Sequence, residues 1–457
     1  MPSAEQKSSR ALSRPVHQAR GFAATSLKCG LDRSRVSNHI AIPLSESGVW
    51  SYPNTTGFTL CMRTEVAIVG AGPAGLLLSH LLSAEGIDSV VIDTRSQEYV
   101  LSRIRAGILE QSTVDLLDRV GLGARLHREG LEHRGIYLQW PEERHHLNFV
   151  DLAGRSVWVY GQTEVTKDLV AAREADCQPM FYEVTDTALH DIDTDTPFVT
   201  FTDAEGKPTR VDAAVIAGCD GSYGPSRAAV PEEVRQTWER TYPFSWLGIL
   251  ADVAPSTDDL IYAWHPDGFA LHSMRSTKVS RLYLQVPNNA DLTEWSDDRI
   301  WESLAIRLGH GQNGWQLMPG PITEKSLLPM RSYVQSPMRY GRLFLAGDAA
   351  HIVPPTGAKG LNLAVADVAL LAPALAALVR KDDATLADTY SDTALRRVWR
   401  CTHFSWWMTT MLHLSDDPAG ANSFDAQLQL SQLRWVATSL AGATGLAQNY
   451  AGMPIGH

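Results

Sequence analysis

One stretch of ten residues, Val66-Ala67-Ile68-Val69-Gly70-Ala71-Gly72-Pro73-Ala74-Gly75, constrains the fold of this chain more than any other. A β-branched apolar run meets three glycines in the spacing G-x-G-x-x-G, and residues 76–82 continue as an apolar helix. The order is strand, tight turn, helix. Glycine suits those three places because the turn must be sharp, the backbone must approach a pyrophosphate, and the helix must pack closely on its strand. The helix N-terminus then offers free N–H groups and a partial positive charge to an anion. A second apolar strand at residues 89–92 runs into Asp93, at the distance where a ribose-binding carboxylate is expected. Gly70, Gly72, Gly75 and Asp93 are therefore the first candidate site residues. Taken alone, they leave NAD and FAD equally open.

At 457 residues the chain is too long for one compact core, and two or three domains are expected. With 44% hydrophobic and 20% charged residues, disorder of the whole is excluded. The net charge of -11 argues against nucleic acid or an anionic membrane as partner, so any anionic ligand must meet local arginines. Five scattered cysteines without a C-x-x-C pair suggest neither a disulfide framework nor a metal site, and fit a reducing, cytoplasmic setting. Residues 361–379 are almost wholly apolar, yet they contain Asp367 and Pro373 and follow a glycine-rich loop. A buried helix fits them better than a membrane span.

Along the chain, residues 1–61 are rich in Ser, Arg and small side chains and carry no hydrophobic period; they are expected to be a disordered leader, with Met62 as the true start. Residues 62–240 are read as the nucleotide-binding domain. Within it, Arg103 and Arg105 are assigned to phosphates rather than to a solvated face, Thr163 is a helix N-cap, and the turn Gly218-Cys219-Asp220-Gly221 precedes Arg227. Residues 241–341 change to period two and are expected to form a separate sheet domain, with strands at 260–264, 269–275 and 280–286. Ser273 and Arg275 share one face of that hairpin, and Arg281 and Tyr283 share one face of its partner strand. A register that sets Ser273 opposite Tyr283 sets Arg275 opposite Arg281, and two adjacent arginines call for a nearby anion unless the face is simply solvated. Residues 342–457 return to the first domain through a strand ending in Gly347-Asp348 and a glycine-rich entry into the apolar helix. The aromatic residues 404–408 belong to a core or a subunit interface.

The glycine motif with its acid, the Gly218–Gly221 turn and the Gly347-Asp348 element, in that order, resemble the single-component FAD aromatic hydroxylases. Residues 103–107, 160–166 and 342–363 carry the resemblance further, and it covers residues 62–454. It implies an α/β chain in two domains: a Rossmann-like FAD-binding domain, a β-sheet substrate domain, and C-terminal helices. The implied activity is monooxygenation of 4-hydroxybenzoate at C3 to 3,4-dihydroxybenzoate with bound FAD, NADPH or NADH, and O₂. Another phenolic acid isomer, or a flavin-binding sensor without turnover, are the alternatives. By resemblance Ser273, Arg275 and Tyr283 bind the substrate carboxylate, Tyr262 meets the phenol, Tyr450 is its relay partner, and His133 is the relay's solvent end. Pro355 presents its carbonyl near the phenol oxygen. Leu361 and Asn362 touch the flavin ring, and Arg105, Gln162 and Asp348 lie along the cofactor. Arg281 joins the cofactor-binding set, and Arg103, Arg227 and Arg331 serve the nicotinamide cofactor. The chain departs from the family at Tyr223, where histidine is usual, and at Thr94, where arginine is usual; losing a cation at 94 weakens the case for a 2′-phosphate unless Arg95 replaces it. A homodimer is also implied.

Overall fold

Apolar β-branched runs make strands that bury both faces, and the first sheet is built from them. In the computed structural model, which describes residues 42–43, 50–52, 60–103, 107–309, 315–415, 417 and 419–455, the strand Leu60–Val69 lies between two parallel neighbours, Ser89–Ile92 and Pro208–Gly218. Met180–Phe181 extends the parallel layer on one side and Leu343–Leu345 on the other. The helices Pro73–Ala84, Gln162–Ala175 and Gly360–Lys381 pack together against it. The chain therefore leaves after residue 218, builds a second sheet, and returns at Leu343–Leu345 to complete the first.

The start of this sheet corrects one expectation. Its glycine-motif strand begins at Leu60 rather than after Met62, and Trp50–Tyr52 pairs antiparallel with it, so part of the stretch expected to be disordered is strand. Aromatic and apolar residues at 50–52 and 60–61 suit an edge pairing, and the polar composition around them hides that. Ile42–Pro43 pairs antiparallel with Trp50–Tyr52 in turn, and the remainder of residues 1–59 lies outside the described residues.

The second sheet is mixed and larger than its expected span. Two long antiparallel strands, Gln236–Ala251 and Ile322–Ser336, form its spine. Ser280–Pro287, Ala270–Met274 and Leu260–Ala263 follow on one side. Beyond them the sheet takes Gly135–Trp140, parallel, and Glu143–Asn148, antiparallel, from the first part of the chain. A sequence cut at 241 and 341 does not follow these strands.

The substrate hairpin keeps its expected faces with a different register. Ser273 pairs with Arg281 and Leu271 with Tyr283, while Arg275 lies just beyond the strand and its N–H bonds to the carbonyl of Val279. The turn is tighter than the expected pairing required. A shift of two residues leaves every side chain on its original face, so the cluster survives although the pairs change.

The apolar helix Gly360–Lys381 has the length and hydropathy of a membrane span, but most of it is buried inside the protein. Its Asp367 carboxylate is buried and accepts hydrogen bonds from the N–H of Gly347 (2.8 Å) and from His351 Nε2 (2.6 Å). Opposing charge raises the proton affinity of His351 against the effect of its burial. A small third sheet, Ile108–Glu110, Val157–Val159 and Leu131–His133, sets Glu110, Val157 and His133 in one row across its strands.

Candidate active site

The three motif glycines answer to three different local demands. Gly70 has φ of 109°, and a Cβ there would lie 2.3 Å from the carbonyl oxygen of Cys219. At Gly75 a Cβ would lie 2.0 Å from the oxygen of Gly70, which is the close helix-to-strand packing expected of the last glycine. Gly72 is different, because a Cβ there meets nothing within 4 Å. It is the N-cap of Pro73–Ala84, has no side-chain cap, and is followed by proline at the first helical position. Free N–H groups, positive dipole and open space meet at that point, which fits a pyrophosphate. Asp93 braces the turn, accepting from Ala71 N (2.6 Å) and Arg95 N (2.7 Å). Asp348 is exposed beside the same turn, following Gly347 with φ of 63°.

Against the second sheet, facing Ile108 and Val159 of the small third one, lies a small cleft with about 40 Å³ of room for water-sized groups. Tyr262, Ser273, Arg275, Arg281 and Tyr283 supply its polar lining, with Pro355 at the entry to the apolar helix. Arg281 donates from Nε to the hydroxyl of Tyr283, while its Nη1 is buried and has no partner among the described residues. A buried guanidinium N–H without an acceptor suits an anionic or carbonyl-bearing ligand. Arg275 stands against the backbone of Gly161; a Cβ there would lie 2.2 Å from its Nη1. Burial, then the nearby charge of Arg281, lowers the proton affinity of Arg275, though a guanidinium stays charged at neutral pH. Trp246 packs on Tyr283, with ring centroids 4.6 Å apart, and donates its indole N–H to His413 Nε2 at 2.6 Å.

At the inner wall of the cleft the hydroxyls of Tyr262 and Tyr450 lie 2.7 Å apart, both side chains fully buried. Burial pushes both phenols well above the ordinary tyrosine range, so each is a neutral hydroxyl that both donates and accepts. His133 was expected at the solvent end of a relay. Its side chain is buried, on the edge strand of the small third sheet; Nδ1 bonds Asp259 Oδ1 at 3.0 Å, and Nε2 has no partner among the described residues.

Sequence reasoning missed a buried ionic group beside this pair. Glu110 accepts from Lys359 Nζ (2.7 Å) and Arg397 Nη2 (2.9 Å), and Lys359 also donates to the carbonyl of Tyr450 at 3.0 Å. All three side chains are buried. One carboxylate against two cations leaves net positive charge next to the tyrosine pair, which favours an anion in the cleft. The only available signal was a lysine inside a glycine-rich loop; Glu110 and Arg397 are far away in sequence.

Other predicted residues divide. The amide of Asn362 is saturated by protein, accepting from Glu110 N and Thr113 Oγ1 and donating to the carbonyls of Ile108 and Ala358. Its backbone, with that of Leu361, opens the apolar helix near the cleft. Thr163 does not cap its helix: Gly161 is the N-cap, and the Thr163 hydroxyl donates to the carbonyl of Arg103 at 3.0 Å. Gln162 begins that helix, and Arg103 is exposed. Arg105 lies outside the described residues. Away from the cleft, Arg227 holds the Gly347–Ala349 turn through the carbonyls of Asp348 and Ala349 and stacks over Tyr333, while Arg331 lies over the ring of the exposed Tyr223.

The chain is similar to known proteins over most of its length. Residues 63–405 match the family described as FAD binding domain. The chain is 48% identical over 394 residues, 86% of its length, to the p-hydroxybenzoate hydroxylase of Acinetobacter baylyi, 96% of which is covered. It is 24% identical to the probable NADH-specific resorcinol 4-hydroxylase of Rhodococcus jostii, over 71% of this chain and 61% of that protein. Among solved structures, p-nitrophenol 4-monooxygenase PnpA from Pseudomonas putida superposes with a TM-score of 0.71 at 20% identity, covering 86% of this chain and all of that one.

Proposed function

Because this chain belongs to the family of that FAD binding domain and is an FAD-dependent aromatic hydroxylase, we propose that it converts 4-hydroxybenzoate to 3,4-dihydroxybenzoate with NAD(P)H and O₂. The observation that carries the reading is the cleft itself. Its lining joins a cationic and hydroxylic group, Ser273, Arg275, Arg281 and Tyr283, with Tyr262, which bonds the buried Tyr450. A molecule with a carboxylate at one end and a phenol at the other matches both.

FAD, when bound, supplies electron uptake from the nicotinamide and activation of O₂. The residues that would hold it are Gly70, Gly72 and Gly75 at the pyrophosphate, Asp93 at a ribose, Gln162 and Asp348 along the chain, and the backbone of Leu361 and Asn362 at the ring, with Arg281 alongside. In the cleft, Arg275, Ser273 and Tyr283 fix the carboxylate and so set which ring carbon is presented. Tyr262 accepts the hydrogen bond of the phenol and, through Tyr450, draws its proton away; a free phenol would hold that proton up to about pH 10. The Lys359–Glu110–Arg397 group adds positive charge that favours the phenolate. Pro355 lines the cleft and offers its carbonyl near the same oxygen.

The nicotinamide cofactor is assigned to Arg103, Arg227 and Arg331, on the side of Tyr223. NADPH is placed ahead of NADH, and the ratio of kcat/KM for the two decides. We also propose a homodimer, supported by apolar side chains exposed on and beside the helix Phe424–Thr438, namely Phe424, Leu428, Trp435 and Leu440. Sedimentation decides that. A cytoplasmic location is supported by the free thiols of Cys61, Cys219 and Cys401 among the described residues.

The main test is turnover on purified holoenzyme. The expected outcome is one 3,4-dihydroxybenzoate formed per NAD(P)H oxidised. Product from a different phenolic acid alone would reassign the substrate, and substrate-stimulated NAD(P)H oxidation without product would make the chain a flavin-binding sensor.

A further inference from the structure

The buried His133 is one end of a His-Asp-His arrangement that runs outward. Asp259 Oδ1 bonds His133 Nδ1 at 3.0 Å, and its Oδ2 bonds His146 Nε2 at 2.7 Å. Side-chain exposure rises along the row, from 1% at His133 to 16% at Asp259 and 33% at His146. Three separate elements supply the members: His133 ends Leu131–His133, His146 lies in Glu143–Asn148, and Asp259 immediately precedes Leu260–Ala263. Asp259 and Tyr262 thus belong to one short segment, three residues apart, which spans about 10 Å in extended geometry.

A carboxylate can only accept from these imidazoles. His133 must therefore carry its proton on Nδ1, which leaves Nε2 as an acceptor, and Nε2 is the buried nitrogen with no partner among the described residues. We infer that Asp259 is a positioning residue for proton removal: it fixes His133 in the tautomer whose Nε2 receives the phenol's proton and stabilises the imidazolium that forms, while His146 holds the carboxylate in place from the solvent side. This rests on the proposed function. In the transfer, the phenol O–H bond breaks with its electron pair left on oxygen, an N–H bond forms at Nε2, and the charge on the ring is met by Asp259. The role parallels that of the carboxylate behind a catalytic histidine elsewhere.

The surroundings agree with a carboxylate that stays ionised. Burial alone would raise its proton affinity, but hydrogen bonds and charge from His133 and His146 hold it at about 2. Tyr137 lies against His146, with ring centroids 4.7 Å apart, and His145 is engaged by Glu143 at 2.7 Å, so neither competes for Asp259.

The test uses FAD-loaded enzyme and its Asp259→Asn, Asp259→Glu and His146→Gln variants. Stopped-flow mixing with 4-hydroxybenzoate in weak buffer with a pH indicator reads proton release. Asp259→Asn should slow it at least about tenfold at pH 7 and move the apparent pKa of the rate profile downward, since the imidazolium loses its counter-charge. Asp259→Glu should recover most of the rate. His146→Gln, at a partly exposed site, should slow release by about threefold. FAD affinity, read by flavin fluorescence, and substrate affinity should stay within about twofold, which separates positioning from damage to the fold. Nitrogen-15 NMR of the imidazoles gives a readout that needs no turnover: His133 should be the Nδ1–H tautomer in the parent enzyme and lose that preference in Asp259→Asn. Wild-type release rates and an unchanged profile in both Asp259→Asn and His146→Gln, or an Nε2–H tautomer at His133, would overturn the inference. Failure of the parent enzyme to hydroxylate, with the tautomer as stated, would instead count against the proposed substrate.

Discussion

The hydroxyl oxygens of Tyr262 and Tyr450 lie 2.7 Å apart at the inner wall of the cleft, and burial keeps both protonated at neutral pH. A pair of this kind moves a proton along without itself becoming an anion. Replacing Tyr262 by Phe removes the group that receives the phenol's proton and leaves the carboxylate contacts alone. NAD(P)H oxidation should persist while hydroxylation falls about a hundredfold and hydrogen peroxide takes its place, within the usual range for a lost acid–base group. The sign of the pH dependence follows from the phenol. Its free pKa is near 10, so the phenolate fraction grows about tenfold per unit below that pH. Residual hydroxylation by Tyr262→Phe should climb accordingly between pH 7 and 9, and a flat or falling profile would remove Tyr262 from the proton path.

Arg275 is held against Gly161, where no side chain intervenes. Loss of a charge-assisted carboxylate contact in Arg275→Ala should weaken 4-hydroxybenzoate binding by about 1.5 to 3 kcal/mol. Gly161→Ala tests the same placement from the other side. Its Cβ would collide with the end of a movable side chain, so the fold should tolerate it while substrate Kd rises about tenfold. In the double variant the two effects should not add, because both act through one guanidinium. Additive losses in titration calorimetry would mean that Gly161 acts on something else.

Gly72 and Gly75 separate ligand room from packing. Alanine at Gly75 would drive a Cβ to 2.0 Å from the oxygen of Gly70 and should destabilise the apoprotein by about 1 to 3 kcal/mol, as overpacking does. Alanine at Gly72 enters open space, so the apoprotein should melt as the parent does while FAD affinity drops. Differential scanning fluorimetry of apoprotein and fluorescence titration of FAD read the two separately. Equal losses of Tm in both variants would contradict the assignment of Gly72 to the pyrophosphate.

Much of this was legible because it is local. The run at residues 66–75 encodes strand, turn and helix in contiguous residues, and the alternation at 270–274 and 280–287 fixes which face each side chain takes. Register was not legible to the same degree: a shift of two residues keeps every face, so alternation alone cannot tell Ser273 opposite Tyr283 from Ser273 opposite Arg281. Groups assembled from distant segments carried still less signal. Glu110, Lys359 and Arg397 meet only because the chain returns to its first sheet, and Asp259 reaches His133 only because Leu260–Ala263 pairs in parallel with Gly135–Trp140. The polar stretch before residue 60 hid its strand behind composition.

Acid sensitivity of the fold should trace to two buried neutral histidines. His413 is pushed down to about 3 and His272 to about 4, in each case chiefly by burial. Both are lowered from the unfolded value near 6.5, so below that pH the unfolded chain binds protons that the folded one does not. Their contribution to stability is complete above about pH 6.5 and is lost as the pH falls through 4 and 3. Each can add up to about 1.4 kcal/mol of lost stability per pH unit in that window. Denaturant midpoints at pH 7, 5.5 and 4.5 measure the slope. His413→Gln supplies a comparison, since a glutamine carbonyl can still accept from the Trp246 indole but does not titrate. The variant should be less stable at pH 7 yet lose less between pH 6 and 4.5, and an identical slope would show that His413 is not the group that takes up the proton on unfolding.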